Sequence, residues 1–257
     1  MRVLFPLLAP LIALGTVLLS GTTGEAADIK VLTSGAYKPV ILALAPAFEA
    51  ATGHRLRVEN DTVGALAKRI TDGESFDAVV LTPALVREFT ATGRLAAGSA
   101  RDVARVGIGV AVAADAPAPD ISTVERFKAA LAAAPSIALI DPASGGSSGV
   151  YLAGLFKRLG IADDVARKAV LVPGGLVAER VARGEAALAI HQVSEILPVK
   201  GVRLVGLLPD TIQNFTVYTA AVGAGARDPD AARAFVAALA GLEAAAVLAG
   251  KGMEPIR

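Results

Sequence analysis

Small hydroxyl residues and glycines are concentrated in one segment of the chain, residues 141–149, which reads DPASGGSSG. The segment follows an apolar run at residues 136–140 and precedes a helical pattern at residues 150–159. A strand that ends in such residues and then opens a helix directs several backbone N–H groups, and the positive end of the helix dipole, at one point. We therefore predict an anion site that includes Ser144, Ser147 and Ser148. The alternative is an ordinary flexible connection between a strand and a helix.

Three further segments place polar side chains at the end of a predicted strand. They are residues 33–35 (TSG), 60–62 (NDT) and 191–195 (HQVSE). Ligands of open α/β sheets bind at the carboxyl ends of the strands, and each of these segments also precedes a predicted helix. Hydroxyl and amide groups of this kind can bind an anion without a full counter-charge.

Residue types and spacing argue against several other kinds of site. Residues 141–149 lack the Gly-Lys-Ser/Thr ending of a P-loop and the G-x-G-x-x-G spacing of a dinucleotide site. The chain contains 2 His and no Cys, so it offers no zinc-like spacing and no disulfide, and we predict no metal and no cofactor. Neither His191 nor His54 has the sequence order of a serine-hydrolase triad with a convincing Asp partner.

Composition and charge narrow the class of protein. The formal net charge is only +1, and no cluster of Lys and Arg is dense enough to indicate nucleic-acid binding. Hydrophobic residues make up 54% of the chain and aromatic residues only 4%, so the core must consist mainly of Ala, Val, Leu and Ile. The length allows one large domain or two smaller lobes.

The first 27 residues predict export. Met1 and Arg2 give a short positive region, residues 3–20 are almost unbroken in apolar residues, and residues 21–27 become small and polar. This order is typical of a signal peptide, with cleavage after Ala26 or Ala27. A transmembrane anchor is the alternative, because the apolar run approaches the length that spans a bilayer. We predict a signal peptide at residues 1–27 and a mature protein in a bacterial periplasm.

The polar segments must be positioned by strands and helices that alternate along the mature chain. Predicted strands occupy residues 29–33, 55–59, 77–82, 106–113, 136–140, 169–172, 187–190 and 202–205. Predicted helices occupy residues 37–52, 64–71, 124–133, 150–159, 176–183 and 230–239. Such alternation is typical of an α/β fold with mainly parallel sheets covered by helices on both faces. Residues 215–222 alternate like an edge or crossing strand.

Several segments, taken in their order, resemble periplasmic solute-binding proteins of the molybdate-binding type. They are residues 29–35, 47–53, 63–70, 76–80, 230–236 and 252–256. The resemblance implies a type 2 periplasmic-binding-protein fold, with two α/β lobes joined by two hinge strands and a ligand in the cleft between them. It places lobe 1 at residues 28–105 and 215–257 and lobe 2 at residues 106–214. It also implies a monomer whose partners are the membrane subunits of an ABC-type importer.

The ligand contacts of that family carry over unevenly. Ser34 matches the serine after the first strand, but the two serines that usually precede Gly-Ala-Leu-Ala read Thr62 and Val63 here. Where molybdate binders place a tyrosine, this chain has IHQVS at residues 190–194. The pattern Gln-x-Ser-Glu followed by Leu-Pro instead resembles a subgroup related to aconitate isomerase. For that subgroup the implied ligand is a small polycarboxylate.

Two functions follow from these resemblances. The first is capture of a small oxyanion or polycarboxylate for an importer, with the ligand held by Ser34, Gly35, Lys38, Thr62, Ser144, Ser147, Ser148, Gln192 and Ser194. The second is cofactor-free isomerisation of an unsaturated tricarboxylate such as aconitate. In that case Glu195 or His191 would act as the base, and Lys38 would pair with a carboxylate. The alternatives are a capping or solvent-exposed Glu195, a structural His191 and a surface charge at Lys38.

Overall fold

The computed structural model describes residues 26–256. The predicted signal peptide lies outside this range except for its last two residues, Ala26 and Ala27. Within the range, strands and helices alternate and form two lobes, each built on one sheet.

The first lobe is built on a six-stranded sheet. Its strands are β1 (Asp28–Ser34), β2 (Arg55–Asp61), β3 (Ala78–Leu81), β4 (Arg101–Val106), β10 (Thr216–Val222) and β11 (Glu254–Pro255). They lie side by side in the order β11-β4-β10-β3-β1-β2. β1 pairs in parallel with β2 and β3, whereas β10 pairs antiparallel with β3 and β4.

The second lobe is built on a five-stranded sheet. Its strands are β5 (Ile108–Ala113), β6 (Ile137–Ile140), β7 (Ala169–Val172), β8 (Leu188–Gln192) and β9 (Val202–Leu207). They lie in the order β7-β6-β8-β5-β9. β6 pairs in parallel with β7 and β8, whereas β5 pairs antiparallel with β8 and β9. The predicted α/β class is confirmed. Each sheet is mixed, because β10 in the first lobe and β5 in the second run antiparallel to both of their neighbours.

Helices cover both faces of each sheet. In the first lobe they are α1 (Lys38–Thr52), α2 (Val63–Thr71), α3 (Pro83–Ala91), α9 (Pro229–Leu239) and α10 (Leu242–Gly250). In the second they are α4 (Val124–Ala133), α5 (Ser147–Arg158), α6 (Ala162–Ala166), α7 (Ala178–Ala182) and α8 (Val193–Ile196). One face of the first sheet packs against α1, α9 and α10, and the other against α2 and α3.

Local sequence explains the helix that follows β2. The Thr62 side chain accepts a hydrogen bond from the N–H of Ala65 and so caps the first turn of α2, as its hydroxyl and position predict. Leu66 and Ile70, four residues apart, lie on one face of α2 and are fully buried against the sheet. Each buried side chain of this size contributes about 1.5–3 kcal/mol. The cap and the apolar face together fix where the helix begins, which places Thr62 at the lobe boundary.

Two chain crossings connect the lobes, and one side chain ties them together. β4 passes into β5 through Gly107, and β9 returns to β10 through residues 208–215. The Gln213 amide donates to the carbonyl oxygen of Ile108 at 2.9 Å and accepts from its N–H at 2.9 Å. The Gln213 side chain thus pairs with the Ile108 backbone as the backbone of a neighbouring strand would, and it holds the two crossings side by side.

The strand after the second crossing occupies a central place. Residues 215–222 are predicted as an edge or crossing strand, and β10 does follow a crossing, but it lies inside the sheet between β4 and β3. Thr216 and Thr219 give its sequence the polar residues of an exposed strand, yet both are buried in this central strand.

Within residues 26–256, no single helix is both long and apolar enough to cross a membrane. The pair α9 and α10 passes on length and composition when taken together, but the two helices are bent by 57°. Both contribute buried residues to the core of the first lobe.

Candidate functional site

A cavity lies between the two lobes. Its empty volume is about 370 Å³, including the open mouth. The carboxyl ends of β1, β2, β6 and β8 all reach its wall. This is the position at which open α/β sheets bind their ligands. The wall is formed by Ser34, Gly35, Ala36, Asn60, Asp61, Thr62, Val63, Ile140, Gly146, Ser147, Ser148, Gly175, His191, Gln192, Glu195 and Tyr218.

The second lobe presents the N-terminus of α5 to this cavity. Asp141 accepts a hydrogen bond from the N–H of Ala143 at 2.9 Å and so starts a tight turn after β6. Gly145 then adopts the left-handed conformation, with φ of 71°, and the helix begins at Ser147. A Cβ on Gly149 would lie 2.5 Å from the carbonyl oxygen of Ile140. Only glycine lets the helix approach the strand end so closely. Gly146, Ser147 and Ser148, at the start of α5, line the cavity, and the N–H groups of this first turn have no partner within the helix.

The lobes touch along one side of the cavity. The Thr62 hydroxyl donates to the carbonyl oxygen of Ser144 at 2.6 Å, and the N–H of Gly64 donates to the carbonyl oxygen of Gly145 at 3.1 Å. A Cβ on Gly64 would lie 2.8 Å from the Cα of Gly145. These contacts join residues far apart in sequence across the cleft, so the structure is a closed form of the two lobes.

Two titratable side chains meet on the second-lobe wall. The Nε2 atom of His191 lies 3.3 Å from the Oε2 atom of Glu195, and the two residues are only 2% and 6% exposed. Burial raises the pKa of Glu195 to about 8 and lowers the pKa of His191 to about 3. Both shifts arise because a low-polarity environment disfavours the charged form. At neutral pH the imidazole is therefore uncharged and most of the carboxyl carries its proton.

Glu195 is held at the junction of the lobes by the short helix α8. The N–H of Val193 donates to the carbonyl oxygen of Gly107 at 3.1 Å, and the Val193 side chain packs into the core of the first lobe. A Cβ on Gly252 would lie 2.4 Å from a methyl group of Val193. On the cavity side, a Cβ on Gly35 would lie 2.6 Å from the Oε1 atom of Glu195. The first lobe thus contacts α8 on one side and the Glu195 carboxyl on the other.

Several buried polar atoms of the wall have no hydrogen-bond partner among residues 26–256. They include the Ser34 hydroxyl, the Nε2 atom of Gln192 and the Nδ1 atom of His191. The Oε1 atom of Gln192 accepts from the Tyr218 hydroxyl at 3.0 Å. Burial is the main cause that raises the pKa of Tyr218, and the charge of the nearby Glu195 adds to it, so this hydroxyl keeps its proton. A buried polar atom left unpaired costs about 1–3 kcal/mol, so a ligand that pairs with these atoms gains free energy.

Most of the residues predicted from sequence meet at this cavity. The wall includes Ser34, Gly35, Thr62, Ser147, Ser148, His191, Gln192 and Glu195.

Three predicted residues do not reach the wall. The Nζ atom of Lys38 donates to the Oδ1 atom of Asn60 at 2.7 Å, beside the cavity. The Ser144 hydroxyl donates to the carbonyl oxygen of Asp141 at 2.7 Å, so Ser144 joins the lobes through its carbonyl group. The Ser194 hydroxyl is buried away from the wall.

Asn60, Asp61 and Tyr218 line the cavity but are absent from the predicted ligand set. Asn60 and Asp61 end β2, in a segment already marked by its polar residues, so position alone could have suggested them. Tyr218 gives no such signal. It belongs to the first-lobe core and also lines the cavity.

Two other kinds of site lack the necessary geometry. Residues 145–149 (GGSSG) fit the G-x-S-x-G spelling of a nucleophile elbow, which needs a strained backbone at the serine. Ser147 instead begins a regular helix, and across residues 26–256 every residue with positive φ is a glycine. No group of three His, Asp or Glu side chains in that range is arranged to hold a metal ion.

The pKa of Glu195 predicts how stability changes with pH. In the unfolded chain this carboxyl ionises near pH 4.5, whereas in the folded protein it ionises near pH 8. The stability that it contributes is complete below pH 4.5 and is lost as the pH rises through 8, because the unfolded state releases its proton first. Glu195→Gln stays neutral at every pH. Thermal unfolding should show a higher Tm than the natural protein at pH 8.5 and no such gain at pH 4; an equal gain at both would contradict the shift.

Comparisons with known proteins identify the family of this chain. The model of a family described as bacterial extracellular solute-binding protein matches residues 29–254. An aconitate isomerase from a Pseudomonas species is 37% identical over 263 residues, which cover 98% of this chain and 98% of that protein. Both matches span nearly the whole described part of the chain.

Solved structures agree on the fold. The periplasmic molybdate-binding protein of Azotobacter vinelandii superposes with a TM-score of 0.74 at 19% identity, covering 89% of this chain and 100% of that one. The sulfate-binding protein SubI of Mycobacterium tuberculosis H37Rv superposes with a TM-score of 0.69 at 18% identity, covering 90% and 87%. The type 2 periplasmic-binding-protein fold predicted from sequence is thereby confirmed. The chain belongs to the family of bacterial extracellular solute-binding proteins.

Proposed function

We propose that this protein is an exported, cofactor-free isomerase that binds a small unsaturated polycarboxylate such as aconitate between its lobes and moves a proton along it. The observation that carries the proposal is the buried Glu195 carboxyl on the cavity wall, beside His191. In its ionised form such a group repels an anion, so plain capture of an anion does not require it. A base with a pKa near the working pH is what proton abstraction requires.

One relative indicates which reaction such a site would catalyse. The protein that is 37% identical over almost its whole length bears the name aconitate isomerase. Interconversion of cis- and trans-aconitate is a proton shift across three carbons, which needs a base and a way to hold carboxylates. The described cavity offers candidates for both.

The proposed step begins with ionised Glu195. Its carboxylate removes a proton from the methylene carbon that lies between the double bond and a carboxylate of the substrate. The electron pair of that C–H bond forms a new C=C bond, and the pair of the old double bond moves to the far carbon. Glu195, now protonated, returns the proton to the far carbon. Between removal and return of the proton, rotation about the bond that becomes the new double bond determines whether the cis or the trans isomer forms. No net atom or electron is gained or lost.

The negative charge that develops during the step needs stabilisation. Ser147 and Ser148 begin α5 and line the cavity, their backbone N–H groups have no partner within the helix, and the unpaired Ser34 hydroxyl lines the same wall. Preorganised donors in a site shielded from water stabilise an enolate-like charge more strongly than water does. Closure of the lobes supplies that shielding, because Thr62 and Gly64 join the second lobe directly.

His191 is a positioning residue in this proposal. Because burial lowers its pKa to about 3, the imidazole is neutral and a poor base at neutral pH. Its Nε2 atom lies 3.3 Å from Glu195 and can orient one carboxyl oxygen while the other faces the substrate.

A second function is favoured by one specific observation, the raised pKa of Glu195. A protonated carboxyl is a neutral hydrogen-bond donor, which suits plain capture of an anion. In that case the protein would deliver its ligand to the membrane subunits of an ABC-type importer. The family to which the chain belongs is consistent with this role.

Incubation of the purified exported protein with cis-aconitate, followed by proton NMR, separates the two functions. We expect the vinyl signal of the trans isomer to appear at a rate proportional to protein concentration. Thermal-shift measurements with cis- and trans-aconitate, citrate, molybdate, tungstate and sulfate identify ligands independently, because a ligand that binds only the folded state raises the Tm. Binding of aconitate without conversion would favour capture. A shift with inorganic oxyanions alone would overturn the polycarboxylate proposal.

A further inference from the structure

A second, wider cavity opens beside the first and shares part of its wall. Its empty volume is about 1010 Å³, including the open mouth, and we call it the vestibule. The residues common to both cavities are Gly35, Asn60, Gly175 and Glu195. The Glu195 carboxyl therefore lies between the inner cavity and the vestibule, although it is itself buried.

The two cavities differ in charge. The wall of the inner cavity contains neither Lys nor Arg, whereas the vestibule is lined by two lysines of the first lobe. Lys38 begins α1, and Lys251 follows the last residue of α10. Within residues 26–256, no Asp or Glu oxygen lies within 4.0 Å of either ammonium group. The partner of Lys38 is the neutral Asn60 amide, so its positive charge is not compensated there.

We propose that the vestibule is an anion subsite in which Lys38 and Lys251 bind a carboxylate at the far end of the ligand. The inference rests on the isomerase proposal and deepens it. One carboxylate would lie in the inner cavity against the hydroxyls and the N–H groups of α5. A second would lie between the lysines, and the carbons joining them would pass Glu195.

This arrangement has a consequence for specificity. A tetrahedral inorganic oxyanion can occupy only one of the two subsites at a time, whereas a polycarboxylate spans both. Only a spanning ligand gains the charge-assisted hydrogen bonds of the lysines as well as the neutral donors. Contact of the ligand with the lysines also places the carbon between its two bound carboxylates beside Glu195, where proton abstraction requires it. The lysines would thus select the ligand and align it.

Removal of the Lys38 ammonium group would also weaken ligand binding if Lys38 had only a structural role, because this group holds the Asn60 side chain at the cavity wall. The test must therefore retain the charge in one set of variants and remove it in another. Lys128, on α4 and outside the walls of both cavities, offers a matched control for losing one positive charge.

The experiment measures the Kd of trans-aconitate by calorimetry for Lys38→Met, Lys251→Met, Lys38→Arg, Lys251→Arg and Lys128→Met. Loss of a charge-assisted hydrogen bond should weaken binding about tenfold or more in each Met variant at the vestibule. Both Arg variants should remain within about threefold of the natural protein, and Lys128→Met should bind as the natural protein does.

The possible failures are distinguishable. If the natural protein binds no aconitate, the isomerase proposal fails before the subsite is in question. If it binds and converts aconitate while the Met variants at positions 38 and 251 bind equally well, the subsite is wrong and the isomerase proposal stands. Arg variants as weak as the Met variants, with unchanged folding by circular dichroism, would also overturn the subsite, because they would assign the lysines a purely structural role.

Discussion

Glu195→Gln should lower kcat for the interconversion of cis- and trans-aconitate by about 10²–10⁴-fold, the range that a positioned general base contributes. The amide has almost the same shape as the carboxyl, so the contact with His191 and the packing against Gly35 are preserved. It cannot accept a proton from carbon. Binding of trans-aconitate should therefore change by less than about threefold, since the wall donors remain.

The pH dependence of the natural protein provides the second readout. Because only ionised Glu195 can act as the base, kcat/KM should rise with pH up to about 8 and level off above it. The residual activity of Glu195→Gln should lack this rise. Glu88→Gln, an exposed position on α3, controls for the loss of one carboxyl group and should behave as the natural protein does. Full turnover in Glu195→Gln would remove Glu195 as the base.

His191 is the other candidate base that the sequence offers, and the structure makes it the weaker one. A base whose conjugate acid has a pKa of about 3 holds a proton poorly at neutral pH. The sequence alone cannot separate the two residues, because an i,i+4 pair of His and Glu at the end of a strand reads the same whether it faces solvent or a cavity. Burial decides the question by shifting the two pKa values in opposite directions.

The fold could be predicted from local patterns because those patterns agree with the tertiary structure. Thr62 caps α2, Gly53 ends α1 in the left-handed conformation, and α4 occupies residues 124–133 as predicted. The alternation of strands and helices then restricts the architecture to helix-covered sheets. Polar strand ends gave most of the cavity wall, since parallel strands bring their carboxyl ends to one edge.

What the sequence could not supply depends on contacts between distant segments. Lys251 and Glu195 line the same vestibule, but they come from the end of α10 and from α8, which only the folded chain brings together. From its sequence context Tyr218 resembles a core residue, and its ring does pack in the first-lobe core. The placement of α8 against the first lobe follows from the packing of Val193 beside Gly252, and no short-range pattern encodes that contact.

Gly64→Ala should weaken ligand binding while leaving the free protein at least as stable. The added Cβ would lie 2.8 Å from the Cα of Gly145 and 3.0 Å from the carbonyl oxygen of Ser144, both backbone atoms of the opposite lobe. Overpacking of this kind costs about 1–3 kcal/mol, which corresponds to a Kd about 5- to 150-fold higher. The cost arises only when the lobes close. In the open form the alanine lies in the first turn of α2, where it favours the helix.

Calorimetry with trans-aconitate measures the loss of affinity, and small-angle X-ray scattering measures whether the ligand still makes the protein more compact. Gly154→Ala is the matched control, because this glycine lies inside α5 and its Cβ would approach only the flexible end of Arg158, at 3.5 Å. That variant should bind and close normally. Natural affinity and full compaction in Gly64→Ala would mean that the close backbone approach of Gly64 to Gly145 is not required for binding.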